Sequence, residues 1–181
     1  MTVDDFNKKL TAQIEVISKH VPLGIAAGDT HAMMVERIFV DGLNASASKI
    51  GNYSTSPGMY VNTQFAPQKK AAKGKTGETK FKNGKPHKTT YFESYKAFRQ
   101  AEGRESSFVN LRLFGNLQND LSTGLKRVDD DLWIAVVRKD ENWKKIQGFQ
   151  VKYGNVFSLT KDERSHFKKV LDFELKKILN K

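Results

Sequence analysis

A lysine-rich stretch near the middle of the chain constrains the fold more than any other feature. Residues 68–90 (QKKAAKGKTGETKFKNGKPHKTT) contain eight Lys and one Glu, a net charge of +7 within 23 residues. The whole chain carries +11, so the other 158 residues hold only +4. Because its one aromatic residue is Phe81, the stretch cannot bury enough apolar surface to offset its ordering entropy. We expect an exposed basic arm at about residues 61–90.

The remainder of the chain has the composition of a folded domain. Hydrophobic residues make up 38% of the 181 residues, enough for one core, so residues 1–181 are expected to form a single domain. The lack of cysteine excludes disulfides, thiolate metal sites and a Cys nucleophile. No apolar run approaches the roughly 20 residues that span a bilayer, and the N-terminus is too charged for a secretory signal. No membrane association is expected.

Two helices are predicted before the arm. The first is amphipathic and ends before Pro22 and Gly24, since its apolar residues recur every three or four positions: Val3, Phe6, Leu10, Ile14, Ile17 and Val21. The second is predicted over Asp29–Asp41 and stops at Gly42. Its inward residues are expected to be Met34, Val35, Ile38 and Phe39. Residues 45–60 are rich in Ser, Gly, Asn and Thr and are expected to be irregular.

After the arm, the spacing of aromatic residues predicts a helix over Tyr91–Ala101. Its aromatic side chains are expected to pack with Trp133 and the terminal helix; they are Phe92, Tyr95 and Phe98. The next segment, residues 107–121, fits either a strand or a helix interrupted at Gly115.

The C-terminal part alternates a small sheet with helices. Leu132–Val137 predicts a buried strand that pairs with Gly124–Val128 across a tight acidic turn. A short helix is predicted over Asn142–Tyr153, with Trp143, Ile146 and Phe149 on one face. Thr160 and Glu163 form a capping box that starts the terminal helix. The order of elements predicts an α+β fold in which helices pack on a small antiparallel sheet with long irregular arms.

A search for catalytic and ligand-binding patterns favours ordinary structural roles. Gly74-Lys75-Thr76 has Lys69 where a phosphate-binding loop needs glycine. Three consecutive carboxylates at residues 129–131 converge poorly on a metal ion, because neighbouring side chains of an extended segment point to opposite faces. The four histidines are scattered without metal-ligand spacing, and no Gly-x-Ser-x-Gly sequence occurs. We therefore expect no catalytic, cofactor or metal site, and no enzyme.

The arm is the candidate interaction site. Its lysines are Lys69, Lys70, Lys73, Lys75, Lys80, Lys82, Lys85 and Lys88. Lysines that neutralise phosphates would give salt-sensitive, sequence-independent binding to nucleic acid, although one aromatic and no arginine make base recognition unfavourable. An acidic protein neighbour fits the same charge equally well, so both alternatives remain open, as does a merely solvated loop.

Three groups of segments resemble the neck and tail-completion proteins of tailed bacteriophages, which include minor virion morphogenesis proteins. The first group is ERIFVDG at residues 36–42 with IGNYS at 50–54. The second is FESYKAFR at residues 92–99, Gly103-Arg104 and VNLRLFGNL at 109–117. The third is KYGNVFSLT at residues 152–160, leading into the terminal helix. In order and spacing they cover most of the chain.

This resemblance implies a structural virion protein at the head–tail junction, made in the host cytoplasm. Such proteins form homo-oligomeric rings that contact the portal or adjacent neck and tail-tube proteins, and the basic arm could touch packaged DNA non-specifically. A closed ring requires two different complementary faces on each subunit. The alternative function is that of a DNA-binding accessory protein that uses the Lys-rich arm.

Overall fold

The computed structural model describes residues 2–62, 76–80, 86–112, 114–129 and 132–180. The chain divides into two compact units. Unit 1 contains residues 1–48 and 111–181, and unit 2 contains residues 49–110 between them. Helices combine with small antiparallel sheets, which confirms the predicted α+β class. The expectation that residues 1–181 form a single domain stays a prediction.

The elements of the described residues follow in chain order. They are α1 (Val3–Ser18), α2 (Val21–Glu36), a π-turn (Arg37–Asp41), β1 (Met59–Asn62), β2 (Thr76–Lys80), β3 (Pro86–Phe92), α3 (Tyr95–Ala101), α4 (Asn116–Ser122), β4 (Leu125–Arg127), β5 (Trp133–Ala135), α5 (Asp140–Tyr153) and α6 (Lys161–Leu179). Unit 2 holds β1, β2, β3 and α3, and unit 1 holds the others.

The second helix begins much earlier than predicted, at Val21 rather than Asp29. His20 takes a left-handed conformation (φ 55°) that separates α1 from α2. Pro22 lies in the first turn of α2, where its missing N–H is no loss because that donor has no partner inside the helix. The proline therefore marks the end of one helix and the start of the next.

The core of unit 1 lies between α2 and α6, which pack along much of their length. As predicted, four apolar side chains at the end of α2 and in the π-turn are buried: Met34, Val35, Ile38 and Phe39. Gly42 ends the π-turn in the left-handed region (φ 67°), which confirms the predicted stop signal.

A glycine face on α2 receives the β4–β5 hairpin. A Cβ atom on Gly24 would lie 2.8 Å from Cζ2 of Trp133, and one on Gly28 would lie 4.0 Å from Cδ2 of Leu125. The predicted pairing of the two strands is confirmed, with Leu125 opposite Ala135. The prediction of a buried strand is wrong, because only one face of the hairpin covers α2 and Ile134 on the other face is exposed.

Unit 2 contains a three-stranded antiparallel sheet in the order β1-β3-β2. All described residues of the predicted arm are in strands rather than loop: residues 61–62 end β1, and in the other two strands Thr76 pairs with Thr90 and Lys80 with Pro86. Backbone hydrogen bonds to a central strand order these residues despite their lack of apolar side chains. Asn83-Gly84 between them is a hairpin signal in the sequence. Residues 63–75 and 81–85 of the arm lie outside the described residues.

The helix predicted over Tyr91–Ala101 starts only at Tyr95, because β3 continues to Phe92. Ser94 caps it, its Oγ accepting a hydrogen bond from the Ala97 N–H at 3.1 Å. The Phe92 and Phe98 rings meet edge-to-face at 5.2 Å between centroids. These aromatic contacts lie within unit 2, and Trp133 contacts Gly24 within unit 1. The expected packing of the three aromatic side chains with Trp133 and the terminal helix stays a prediction.

The remaining helices of unit 1 agree in part with the sequence. A helix follows Gly115 (φ 80°), which favours the interrupted-helix alternative for residues 116–122. The predicted helix over 142–153 is found as α5, which begins two residues earlier at Asp140. Ile146 and Asn142 are buried in it, and Trp143 is exposed. The capping box of α6 is confirmed: the Glu163 N–H donates to Thr160 Oγ1, and the Thr160 N–H donates to Glu163 Oε2 at 2.7 Å.

Candidate interaction surfaces

The structure places two of the eight candidate lysines of the arm. Lys80 ends β2 opposite Pro86, and Lys88 lies in β3 opposite Glu78. The other six lie outside the described residues: Lys69, Lys70, Lys73, Lys75, Lys82 and Lys85. Strand pairing thus fixes the backbone at Lys80 and Lys88, which the sequence had placed in a long loop.

Most residues of the Gly74-Lys75-Thr76 and 129–131 patterns are not placed by the structure. Gly74, Lys75, Asp130 and Asp131 lie outside the described residues, whereas the Asp129 carbonyl oxygen accepts from the Leu132 N–H at 3.4 Å within the hairpin turn. Within the described ranges, no group of three or more His, Asp or Glu side chains could hold a metal ion. Across the same ranges, no helix is both long and apolar enough to cross a membrane.

The histidines occupy unrelated places. His166 Nε2 lies 2.6 Å from Asp29 Oδ2 on a partly exposed surface. His31 is buried in α2, and burial lowers its pKa below the usual 6.5. Its Nε2 atom has no hydrogen-bond partner among the described residues. His31 is therefore neither a surface residue nor a helix cap.

A buried ion pair between Arg37 and Glu163 organises unit 1. Arg37 Nε donates to Glu163 Oε1 at 2.7 Å. The same guanidinium donates to three carbonyl oxygens, those of Leu43 (2.9 Å), Val156 (3.2 Å) and Ser158 (2.9 Å). One side chain thereby ties the π-turn to the chain before α6 and to the first turn of α6.

Arg99 is the buried cation of unit 2, with only 1% of its surface exposed. Its Nε donates to the Glu105 carbonyl oxygen at 2.6 Å, and its Nη2 donates to Asn110 Oδ1 at 3.1 Å. The guanidinium carbon lies 4.1 Å from the centroid of the Tyr53 ring, a cation–π arrangement. The Tyr53 hydroxyl donates to the same Asn110 oxygen at 3.0 Å.

Asp120 forms a third buried polar cluster at the start of α5. Its carboxylate accepts from the backbone N–H groups of Arg138 (3.0 Å) and Lys139 (3.2 Å) and from Asn142 Nδ2 (2.8 Å). Burial alone would raise the pKa of Asp120, but these hydrogen bonds, Asn142 first, outweigh it and lower the pKa below the usual 3.8. The charged carboxylate thus links the end of α4 to the start of α5 by hydrogen bonds.

Sequence patterns could have indicated these clusters only in part. Arg37 interrupts a run of apolar residues that the helical period places inward, which is a signal for a buried cation. Arg99 follows Phe98 without any comparable signal. Their partners lie far along the chain, Glu163 being 126 residues after Arg37.

Helix α1 presents an apolar face that the described part of the chain covers only in part. None of its residues is buried, and exposure reaches 76% at Val3, 50% at Phe6, 42% at Leu10 and 57% at Ile14. The helix is anchored near its end, where Gln13 Nε2 donates to the Ile178 carbonyl oxygen at 2.7 Å. The period was predicted correctly, but the inward packing that it usually indicates is not found.

Other elements of unit 1 also expose large apolar side chains. They are Val128, Leu132 and Ile134 of the hairpin region, Trp143 and Val151 of α5, and Phe173 and Leu179 of α6. Isolated exposed apolar residues are ordinary on soluble proteins, whereas a contiguous patch of them is typical of a surface that meets other molecules.

The chain matches no protein-family model, and it has no match among curated proteins or solved structures.

Proposed function

We propose that this protein is a structural virion subunit of a tailed bacteriophage, a neck, connector or tail-completion protein without enzymatic activity. In this proposal it forms a homo-oligomeric ring at the head–tail junction and joins the portal to adjacent neck or tail-tube proteins. It is made in the host cytoplasm, and its basic arm contacts a neighbouring acidic protein or packaged DNA.

The observation that carries the proposal is the exposure of large apolar side chains on several different elements of unit 1. Phe6 on α1, Trp143 on α5 and Phe173 on α6 are each at least half exposed. A subunit of a closed ring needs two complementary faces for its neighbours and further surfaces for the rings above and below. Burial of such side chains is the main driving force for that association.

The sequence pattern that resembles neck proteins supports the proposal from a second direction. Arg37 in the first group of segments donates to the carbonyl oxygens of Val156 and Ser158 in the third group. Tyr53, Arg99 and Asn110, from the first and second groups, share the buried cluster of unit 2. The residues that carry the resemblance are thus ones that hold each unit together.

Inactivation of the gene in its phage tests the proposal. We expect DNA-filled heads and separate tails by electron microscopy, with joined particles restored by the wild-type gene in trans. Normal joined particles without the protein would contradict the proposal.

A charge variant then tests the arm. Changing all eight arm lysines to Gln removes the charge without deleting the paired strands, and we expect it to join fewer heads to tails. The matched control changes four lysines outside the arm to Gln: Lys144, Lys152, Lys168 and Lys169. Equal joining by both variants would show that the arm has no special role.

The concentration of charge in the arm favours one second candidate, a DNA-binding accessory protein. Binding of the purified protein to random-sequence DNA at increasing salt distinguishes it. A steep loss of affinity with salt that disappears in the eight-lysine variant would favour this candidate.

A further inference from the structure

We propose that the sheet of unit 2 binds single-stranded nucleic acid on the face opposite its core, with Tyr60 and Tyr91 as the residues on which bases stack. The proposal gives the basic arm a ligand class and a site. It rests on the nucleic-acid candidate above and not on the head–tail role.

The register of the three strands sorts their residues onto two faces. Residues directly opposite each other in an antiparallel pair lie on the same face, and neighbours along one strand alternate between the faces. One face holds Val61, Thr90 and Phe92, which are buried with 8%, 1% and 7% of their surface exposed. Phe92 also meets Phe98 of α3, so this face belongs to the core of unit 2.

The opposite face brings together two tyrosines that are far apart in the sequence. Tyr60 of β1 lies directly opposite Tyr91 of β3. The other positions on this face are Asn62, Gly77, Thr79, His87 and Thr89. Within the described strands, none of these positions carries an aliphatic side chain, so the face lacks the composition that packs against a second apolar layer. Polar residues around an aromatic pair are instead typical of sheet surfaces on which bases stack.

The chain that joins the strands brings positive charge to the same sheet. Strands β1 and β2 lie on the two sides of β3, and both run antiparallel to it. The connection between them, residues 63–75, therefore has its two ends on opposite sides of β3, two strand spacings or about 10 Å apart. It carries Lys69, Lys70, Lys73 and Lys75. Connectivity alone tethers these four lysines to the sheet, where they can neutralise the phosphates of a bound strand.

An aromatic pair beside a lysine-rich segment favours a single strand over a duplex. Bases can stack on tyrosine only when they are free of a duplex stack, and every base offers the flat face that such stacking needs. The positions from His87 to Tyr91 extend over about 14 Å of β3, which is room for two or three nucleotides. An acidic peptide would pair with the lysines but has no ring to place against the tyrosines.

Fluorescence anisotropy with labelled oligonucleotides tests the site in the full-length protein. We expect an oligonucleotide of about 12 thymidines to bind about tenfold more tightly than a random-sequence duplex of the same length at about 100 mM salt. A uridine oligonucleotide of the same length should bind as tightly as the thymidine one, because stacking uses the flat face of the base that the two share.

Leucine variants separate stacking from charge. Tyr60→Leu and Tyr91→Leu keep an apolar side chain in the strand but remove the flat ring, so each should weaken binding to the single strand about tenfold. Their affinity should still fall with salt as steeply as that of the wild type, whereas changing the eight arm lysines to Gln should flatten this dependence. Tyr91→Phe keeps the ring and should bind like the wild type. Trp143→Leu, which removes an exposed ring from unit 1, is the control and should also bind like the wild type.

Photocrosslinking of the wild-type protein decides the matter even if a leucine variant unfolds. A thymidine oligonucleotide with iodouracil at its centre should crosslink to peptides that contain Tyr60 or Tyr91, as identified by mass spectrometry. Crosslinks confined to other peptides would overturn the proposal, and so would folded leucine variants that bind like the wild type. Salt-sensitive binding of equal strength to duplex and single strand would overturn it while leaving a sequence-independent DNA-binding function in place. Absence of binding at about 100 μM protein, the weak limit of non-specific binding, would remove both.

Discussion

At the scale of single residues, Glu163 illustrates the consequence of burying a charge with its partner. Glu163→Gln preserves shape but leaves the Arg37 guanidinium buried without a carboxylate. Removing one partner of a buried ion pair costs about 3–5 kcal/mol, and we expect that loss in the free energy of unfolding from urea titration. Glu15→Gln, which breaks the exposed pair with Lys19, is the control and should leave the urea midpoint unchanged. Equal effects would show that the buried pair contributes nothing special.

The lowered pKa of Asp120 predicts that part of the free energy of unfolding is lost in acid. Its folded pKa lies below the unfolded value of 3.8, so the charged form stabilises the fold at neutral pH. That contribution is lost as the pH falls from the unfolded value through the lower folded value. Asp120→Asn turns an amide donor toward two backbone donors, and we expect it to lower stability by about 1–3 kcal/mol at pH 7.

Thermal melting at several pH values checks this prediction. The difference in melting temperature between wild type and Asp120→Asn should be largest at pH 7 and shrink toward pH 3. A constant difference across that range would contradict the role assigned to the charge.

At the scale of elements, the base of the β4–β5 hairpin requires glycine. A Cβ atom at residue 124 would lie 1.7 Å from the Val136 carbonyl oxygen, so Gly124→Ala must push the two chains apart. We expect a loss of about 1–3 kcal/mol in chemical unfolding.

Gly148 in α5 supplies the matched control. A Cβ atom there meets nothing within 4 Å, so Gly148→Ala should raise stability by about 0.4–1 kcal/mol. If both alanine variants shift stability in the same direction, close approach at Gly124 is not the cause.

Elements specified by near neighbours in sequence were predictable, and those specified by distant partners were not. The Thr160–Glu163 capping box and the stop at Gly42 involve residues a few positions apart, and both are found. The pairing of β3 with β1 joins residues about 30 positions apart, which composition does not encode. Helical period identified α1 correctly, but it could not tell whether the apolar face meets this chain or another.

The same limit applies to the candidate site. The sequence identified the lysines of the arm by charge alone, and the structure fixes the backbone of only Lys80 and Lys88 among them. The helical period identified the apolar face of α1 but did not show what packs against it. In the structure much of this face is exposed.

At the scale of the whole molecule, the two units change the expected effect of deleting the arm. Because residues 68–90 contain few apolar side chains, the sequence alone predicts that removing them leaves the rest of the chain folded. That deletion takes away β2 and most of the central strand β3, so β1 keeps only two of its four paired positions, Tyr91 and Phe92. We now expect unit 2 to unfold.

Tryptophan fluorescence tests unit 1 separately, because both tryptophans, Trp133 and Trp143, belong to it. The deletion variant should keep a cooperative fluorescence transition while trypsin cleaves rapidly within residues 49–110. A collapse of the fluorescence transition would show instead that unit 1 cannot fold without unit 2.

Because unit 2 is inserted between the two pieces of unit 1, the second piece of unit 1 is synthesised some time after the first. At about 5–20 residues per second, roughly 6–25 s separate the appearance of Arg37 from that of Glu163, 126 residues later. Unit 2 is complete on the ribosome within that interval, since all its residues lie in one stretch. During that interval the apolar face of α2 is exposed, because α6 has not yet been synthesised. The first helices of this protein are therefore the part that a nascent-chain chaperone would hold.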